Sequence, residues 1–403
     1  MGWVSARAFR ALRQRNFRLF VVGQVLSVSG TWAQRVAQGW LAYRLTHSTF
    51  YLGLVTFAGS APAFLLTPIA GVIADRTSRR RMLVWLQALL MAQAAVLAAF
   101  TFAGSITPRW LLLLSLAQGS LAAFENPTRQ SFYTEMAGSD ALASAIALNA
   151  TLMNVARILG PAVAGVVVAA AGEGVCFAAN AASFLAVIVA LLMMKVPAGV
   201  HPADRARGWE LLREGFAFVR GVPVLRAMLL NFGLWNLAGS SYLTLLPTFT
   251  AESLGNGPAA LGWLISASGV GAIVSSLVLA SRADTAGLPG ASFAASGVSG
   301  GALIVLGFSR SFAISLLLLL LVGAGYSFTL ASTQTMMQVR VKEAMRGRVM
   351  SFYSLVFLGV PPIGALVAGI VAEKLHAGGA ISAGGTACLA GAILCARASQ
   401  DRG

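Results

Sequence analysis

Long apolar segments alternate with short polar breaks along the chain, and the spacing of the breaks sets the number of elements. Apolar runs bounded by Gly, Pro or charge fall near 17–44, 50–74, 82–103, 109–131, 143–171 and 174–195. A second set falls near 224–250, 258–281, 291–308, 312–338, 348–374 and 379–396. Each run is close to the roughly 20 residues that a helix needs to cross a bilayer. The pattern therefore predicts an all-α membrane protein with twelve transmembrane helices.

The longest polar stretch, 196–223, carries Pro197, Pro202, Asp204, Arg205, Arg207, Glu210, Arg213, Glu214 and Arg220. It parts an N-terminal six-helix half (1–195) from a C-terminal one (224–403). Within this connector Trp209, Leu212, Phe216 and Val219 recur at helical spacing opposite the charges, predicting an amphipathic helix along the cytoplasmic membrane surface. Asp75 and Asp284, Gln130 and Gln338, and Gly165 and Gly369 stand at corresponding places in the two halves. Two parallel repeats of this kind hold substrate near the midplane between them.

Composition supports the same class. The chain is 57% apolar and 10% charged, whereas soluble domains carry roughly a quarter of their residues as charges. A water-soluble fold is excluded. The net charge of +16 reports topology rather than nucleic acid. On an alternating topology Arg44, Arg109, Arg310 and Lys374 fall outside, Arg35 and Arg157 fall within helices, and every other Lys and Arg falls inside. That bias orients helices with both termini cytoplasmic and favours anionic lipid headgroups. Arg7, Arg10, Arg13 and Arg15 with interleaved apolar residues suggest an interfacial helix rather than a cleaved signal.

Catalytic apparatus is absent from the sequence. It has no HExxH and no phosphate-binding GxxxxGK[ST] loop. Cys176, Cys388 and Cys395 have no metal spacing and fall in apolar helices, and His47, His201 and His376 fall at loops or helix ends. The expectation is a non-enzyme with no metal or cofactor. A channel would need selective rings along a continuous pore, whereas two repeats joined by a connector suit alternating access.

Intramembrane charge is the main chemical clue, because an ionisable group there is costly. Glu125 is the one acidic residue well inside a predicted helix, so it leads as proton carrier if protons drive transport. Arg129 and Arg157 are its candidate partners; a fixed structural pair between Glu125 and Arg129, one turn apart, is the alternative. In the first helix Ser27, Thr31, Gln34 and Gln38 form a polar face beside Trp32 and Arg35. The seventh offers Asn231, Trp235, Asn236, Ser240 and Tyr242, and the tenth Tyr326, Thr329 and Thr333. Aromatic rings with scattered amides suit a large, partly apolar ligand. Gly160, Pro161 and Gly165 read as a hinge or packing seam in the fifth helix.

The segment Gly71-Val-Ile-Ala-Asp75-Arg76-Thr-Ser-Arg79-Arg80-Arg81 resembles the signature of the major facilitator superfamily, with Ser78 where that family usually has Gly. Glu125-Asn126-Pro127-Thr128-Arg129-Gln130, Ala145 to Asn149, and Arg157-Ile-Leu-Gly160-Pro161-Ala-Val-Ala-Gly165 resemble its branch of macrolide efflux proteins and the enterobactin exporter. Gln338, Arg346-Gly347-Arg348 and Pro362-Ile363-Gly364 resemble that branch's second half.

The resemblance implies the major facilitator fold and a proton-linked exporter of bulky amphipathic molecules such as drugs, macrolides or siderophores. It implies that the first, fourth, seventh and tenth helices surround the cavity, and a monomer. It also implies a latch in which Asp75, with Gly71, Arg76, Arg79 and Arg80, meets the start of the eleventh helix beside Arg346 and Arg348. A facilitator working inward, a channel and a lipid-handling membrane protein are the alternatives. Abundant Arg and Ala point to a GC-rich bacterium, hence a bacterial inner membrane.

Overall fold

A segment crossing lipid must satisfy its own backbone N–H and C=O groups, and the helix does so within one segment. The computed structural model, which describes residues 11, 14–137, 142–194, 208–282 and 284–400, is accordingly helical, with no strand among those residues. Its helices are α1 (Arg15–Thr46), α2 (Thr49–Arg76), α3 (Arg79–Phe102), α4 (Pro108–Ala137), α5 (Leu142–Ala171) and α6 (Glu173–Met193). After the connector helix α7 (Gly208–Gly221) come α8 (Pro223–Leu234) and α9 (Tyr242–Thr248), each followed by a π-helical turn, at Trp235–Gly239 and Phe249–Ser253. Then follow α10 (Pro258–Ala280), α11 (Leu288–Phe308), α12 (Phe312–Val339) and α13 (Glu343–Gln400).

Among the described residues eight helices are long and apolar enough to span a membrane, and nine if the bent run Arg213–Gly221 plus Pro223–Ser253 is one span. The remaining predicted crossings are explained locally. α1 and α4 have the length, at 32 and 30 residues, but carry the polar residues on which the site is built. α13 is 58 residues long and breaks at His376, whose backbone is left-handed at φ 58°, so it supplies two crossings.

The chain separates into two compact units, Met1–Leu45 with Ala58–Asp204, and Thr46–Phe57 with Arg205–Gly403. In the first, α1 runs antiparallel to α6 through glycines: a Cβ on Gly23 would lie 3.1 Å from the Val187 Cα, and one on Gly30 3.2 Å from the Asn180 Cα. At the outer end Arg44 forks onto Glu173, at 2.8 and 3.1 Å. Gly172, at φ 82°, makes the tight turn between α5 and α6 that a Cβ would strain. Phe17, Phe20, Leu83, Phe132, Tyr133 and Met136 form a core at the opposite end from Arg44.

In the second unit the first turn of α2 is capped by a distant carboxylate. Glu373 Oε1 accepts from the Ser48 hydroxyl at 2.6 Å and the Phe50 N–H at 3.0 Å, a favourable charge for a helix N-terminus. The predicted connector helix is present as α7. Its Phe216 packs edge-on against Phe352 at 5.4 Å, and Val219 joins the core of Met228, Phe232, Met336 and Tyr353. The side chains of Trp209 and Leu212 lie outside the described residues. Glycine seams draw α11 onto α13: a Cβ on Gly300 would fall 2.9 Å from the Gly385 carbonyl oxygen and 2.8 Å from the Leu389 nitrogen.

That seam makes a prediction. Gly300→Val should destabilise the purified protein by about 1–3 kcal/mol, the usual effect of overpacking, and lower its melting temperature in detergent. Gly301→Ala, which faces open space, should leave the melting temperature unchanged or slightly raised.

Candidate functional site

One buried charge pair of the first unit lies wholly on α4, which carries Pro127 within its body. Glu125 is 8% and Arg129 9% exposed, and Arg129 Nε stands 3.2 Å from Glu125 Oε1. Gln87 of α3 donates to the same oxygen at 3.3 Å. The Arg129 guanidinium also donates to Asn126 at 2.8 Å. Arg129 Nε is close enough to pair electrostatically, yet it makes no hydrogen bond, and Gln87 Oε1 also goes without one. One turn on, the Tyr133 hydroxyl donates to Asn149 of α5 at 2.6 Å. The carboxylate thus meets one cation and one amide, with unpartnered polar atoms on both. The structure brings Arg129 to Glu125; Arg157 makes no ion pair among the described residues.

The basic signature residues bind within their own units. Arg79 pairs with Glu135 at 2.9 Å, the two side chains being 9% and 14% exposed. Arg80 donates at 2.7 Å to both the Leu191 and Leu192 carbonyls, satisfying acceptors that a helix end otherwise leaves open. In the second unit Arg348 pairs with Glu214 at 2.5 Å, and Arg346 Nε donates to the Gln338 carbonyl at 3.1 Å. A Cβ on Gly71 would meet nothing. The side chains of Asp75 and Arg76 lie outside the described residues.

The polar face expected on α1 divides. Gln34 turns into its own bundle, donating to Gln93 at 3.2 Å and accepting from Asn180 at 2.6 Å, while Gln93 donates to the Leu114 carbonyl. Ser27 and Gln38 are buried, and the Thr31 hydroxyl turns back to the Ser27 carbonyl at 2.9 Å. Arg35 is exposed, its guanidinium 5.1 Å from the Trp32 ring centre. In the second unit Asn231 accepts from Ser296 at 3.1 Å, and Tyr326 donates to Asn236 at 3.3 Å while packing on Trp235 at 4.9 Å. Tyr242 donates to Ser268 at 2.9 Å, and Thr329 to the Ser292 carbonyl at 3.3 Å. Trp235 opens a π-helical turn, a distortion frequent at functional sites. Its indole N–H is buried without a partner.

Gly160 is a close-approach residue. A Cβ there would lie 2.7 Å from the Trp32 Cβ and 3.2 Å from the Ser29 carbonyl oxygen. Pro161 stands inside α5 and Gly165 is buried. Sequence reasoning passed over Gln87, Gln93, Glu135 and Asn180. For Gln87, Gln93 and Asn180 the signal was present, since each is an amide in an apolar stretch, where an unpaired one is unfavourable; Glu135 lies in the polar last turns of α4 and gave no such signal.

Two all-helical units with apolar spans and a buried carboxylate–arginine pair are the build of a membrane transporter. The chain belongs to the major facilitator superfamily: the family described as "Transmembrane secretion effector" matches residues 6–401. Similar proteins include the Staphyloferrin A transporter of Staphylococcus aureus, 26% identical over 360 residues, covering 88% of this chain and 89% of the relative. The multidrug efflux pump Tap of Mycolicibacterium fortuitum is 27% identical over 361 residues, covering 85% and 86%. Among solved structures, the nucleoside transporter NupG matches with a TM-score of 0.74 at 15% identity, over 96% of this chain and 99% of that one. A bacterial homologue of the iron transporter ferroportin in its inward-facing state gives 0.72 at 17%, over 96% and 99%. These structures establish the fold alone. The family is one of transporters rather than enzymes.

The Arg79–Glu135 pair supplies a test of the site's scaffold. Arg79→Ala, which strands Glu135, should cost about 3–5 kcal/mol as broken buried pairs do. Adding Glu135→Ala should recover part of that loss, read as melting temperatures of the single and double variants.

Proposed function

We propose that the chain is a proton-coupled exporter of amphipathic small molecules such as drugs, macrolides or siderophores. It works by alternating access in a bacterial inner membrane, as a monomer with cytoplasmic termini, driven by the proton gradient without a cofactor. The observation that carries this reading is Glu125. Among the described residues it is the one carboxylate buried in the body of a membrane-length helix instead of at a helix end, about 18 Å along α4 from its C-terminal end at 1.5 Å per residue.

The coupling follows from charge balance. With Glu125 ionised, the pair with Arg129 is neutral and tolerates burial. When Glu125 takes a proton, Arg129 is left with an uncompensated charge, which favours a conformation that admits water or a substrate group to it. Release of the proton restores the compact pair. Export in exchange for protons uses the two states in turn. The relative named as a multidrug efflux pump supports the outward direction. Roles for Gly71, Asp75, Arg76, Arg79, Arg80, Arg346 and Arg348 in the conformational change, and for the polar residues of α1, α8, α9 and α12 in substrate binding, belong to the same proposal.

Glu125→Gln keeps the shape and the Gln87 contact but cannot titrate. Cells expressing it should accumulate fluorescent amphipaths, macrolides and siderophores about as much as cells lacking the protein, whereas wild type keeps accumulation low until a protonophore is added. Export by Glu125→Gln that still collapses with the protonophore would contradict the assignment.

A further inference from the structure

The first unit holds more positive charge at mid-depth than its carboxylates can neutralise. Its described carboxylates are each engaged by an arginine: Glu125 by Arg129, Glu135 by Arg79 and Glu173 by Arg44. Asp75 and Asp140, whose side chains lie outside the described residues, come at the end of α2 and just before α5 in the sequence. Arg35 and Arg157 remain, and neither has an ion pair or hydrogen bond among the described residues. Both sit deep: at 1.5 Å per residue Arg157 is about 20 Å from either end of α5, and Arg35 about 16 Å from the outer end of α1. Unpaired arginines at such depth face protein or a water-filled space rather than lipid.

The packing of the helices places the two arginines near one another. α1 and α5 both run antiparallel to α6, so they run parallel, and Gly160 of α5 abuts Trp32 of α1. Arg35 lies one turn beyond that contact and Arg157 one turn before it, so their backbones are offset by about 9 Å along the helices. Gln24, Val28, Thr31, Arg35 and Gln38 recur at spacings of four and three, forming one strip of α1. Gln34, about 100° away, is already committed to Gln93 and Asn180. On the Arg35 strip the Gln38 carboxamide nitrogen is 6% exposed as a residue and has no hydrogen-bond partner. The uncommitted groups nearest the Arg35 level are thus two guanidiniums and an amide N–H, all donors, beside one indole ring; the unpartnered Gln24 carboxamide oxygen lies about 16 Å from Arg35 along α1.

From this we propose that Arg35, Gln38 and Arg157 form an anion subsite beside Trp32, and that the exported molecule is a carboxylate-bearing amphipath. The carboxylate takes the place of the missing counter-charge, the fork of Arg35 suiting its two oxygens. The apolar part lies against the Trp32 face. This names the substrate class for the exporter of the preceding subsection and rests on that reading.

The test is fluorescence anisotropy on purified full-length protein with two xanthene dyes of similar size, dianionic fluorescein and cationic tetramethylrosamine. Wild type should bind fluorescein. Arg35→Gln and Arg157→Gln should each weaken it about tenfold or more, as loss of one partner of a desolvated charge pair does, and Arg35→Lys, which keeps the charge but loses the fork, should weaken it less than Arg35→Gln. Neither glutamine variant should weaken tetramethylrosamine. Fluorescein binding that survives both glutamine substitutions, or wild type that binds only the cationic dye, would overturn the subsite. Intact, arginine-dependent fluorescein binding without export of any amphipath would instead overturn the export reading and leave the subsite standing.

Discussion

A charge inside a bilayer must be matched by another charge or by water, and the first unit is organised around that requirement. Glu173 is matched by Arg44 at one end of the bundle, Glu135 by Arg79 near the other, and Glu125 by Arg129 between them. The first two pairs join separate helices, α1 to α6 and α3 to α4, and so fix the bundle. The third lies within a single helix, one turn apart, and ties together nothing that Gln87 does not also touch. A pair that does little for the scaffold is what the proposed coupling role of Glu125 requires, whereas the other two act as rivets.

The same accounting explains where the protein can be rigid. Glycines at the contacts of α1 with α6 and of α11 with α13 let backbones approach closely, giving packing forces their best geometry where lipid offers no hydrophobic contrast between helices. Arg80, folded over the last carbonyls of α6, and Glu373, placed at the first turn of α2, close helix ends that would otherwise expose unpaired backbone groups. The π-helical turns after α8 and α9 are the departures from regularity, and one begins at Trp235, whose ring packs on Tyr326.

Much of this was legible in the sequence because a membrane span is a composition signal: twenty apolar residues announce themselves. Helix existence, the connector helix and the special standing of Glu125, Arg35 and Arg157 followed from hydropathy and from the rarity of charge at depth. The pairing of side chains did not. Gln34 and Arg35 are neighbours in sequence and both polar, yet a 100° turn sends one into an amide network with Gln93 and Asn180 and leaves the other uncommitted. Arg79 and Arg80 read as one basic cluster, but one finds Glu135 and the other the end of α6. Such choices depend on what faces each side chain across the bundle, which hydropathy does not encode.

The central claim is that substrate moves against protons. Purified protein in liposomes enclosing a trapped pH-sensitive dye, challenged with a panel of unlabelled amphipaths at zero membrane potential, tests it most directly. The account predicts that at least one amphipath evokes an internal pH change that is absent from protein-free liposomes. Measured uptake of an amphipath with no accompanying pH change would contradict it.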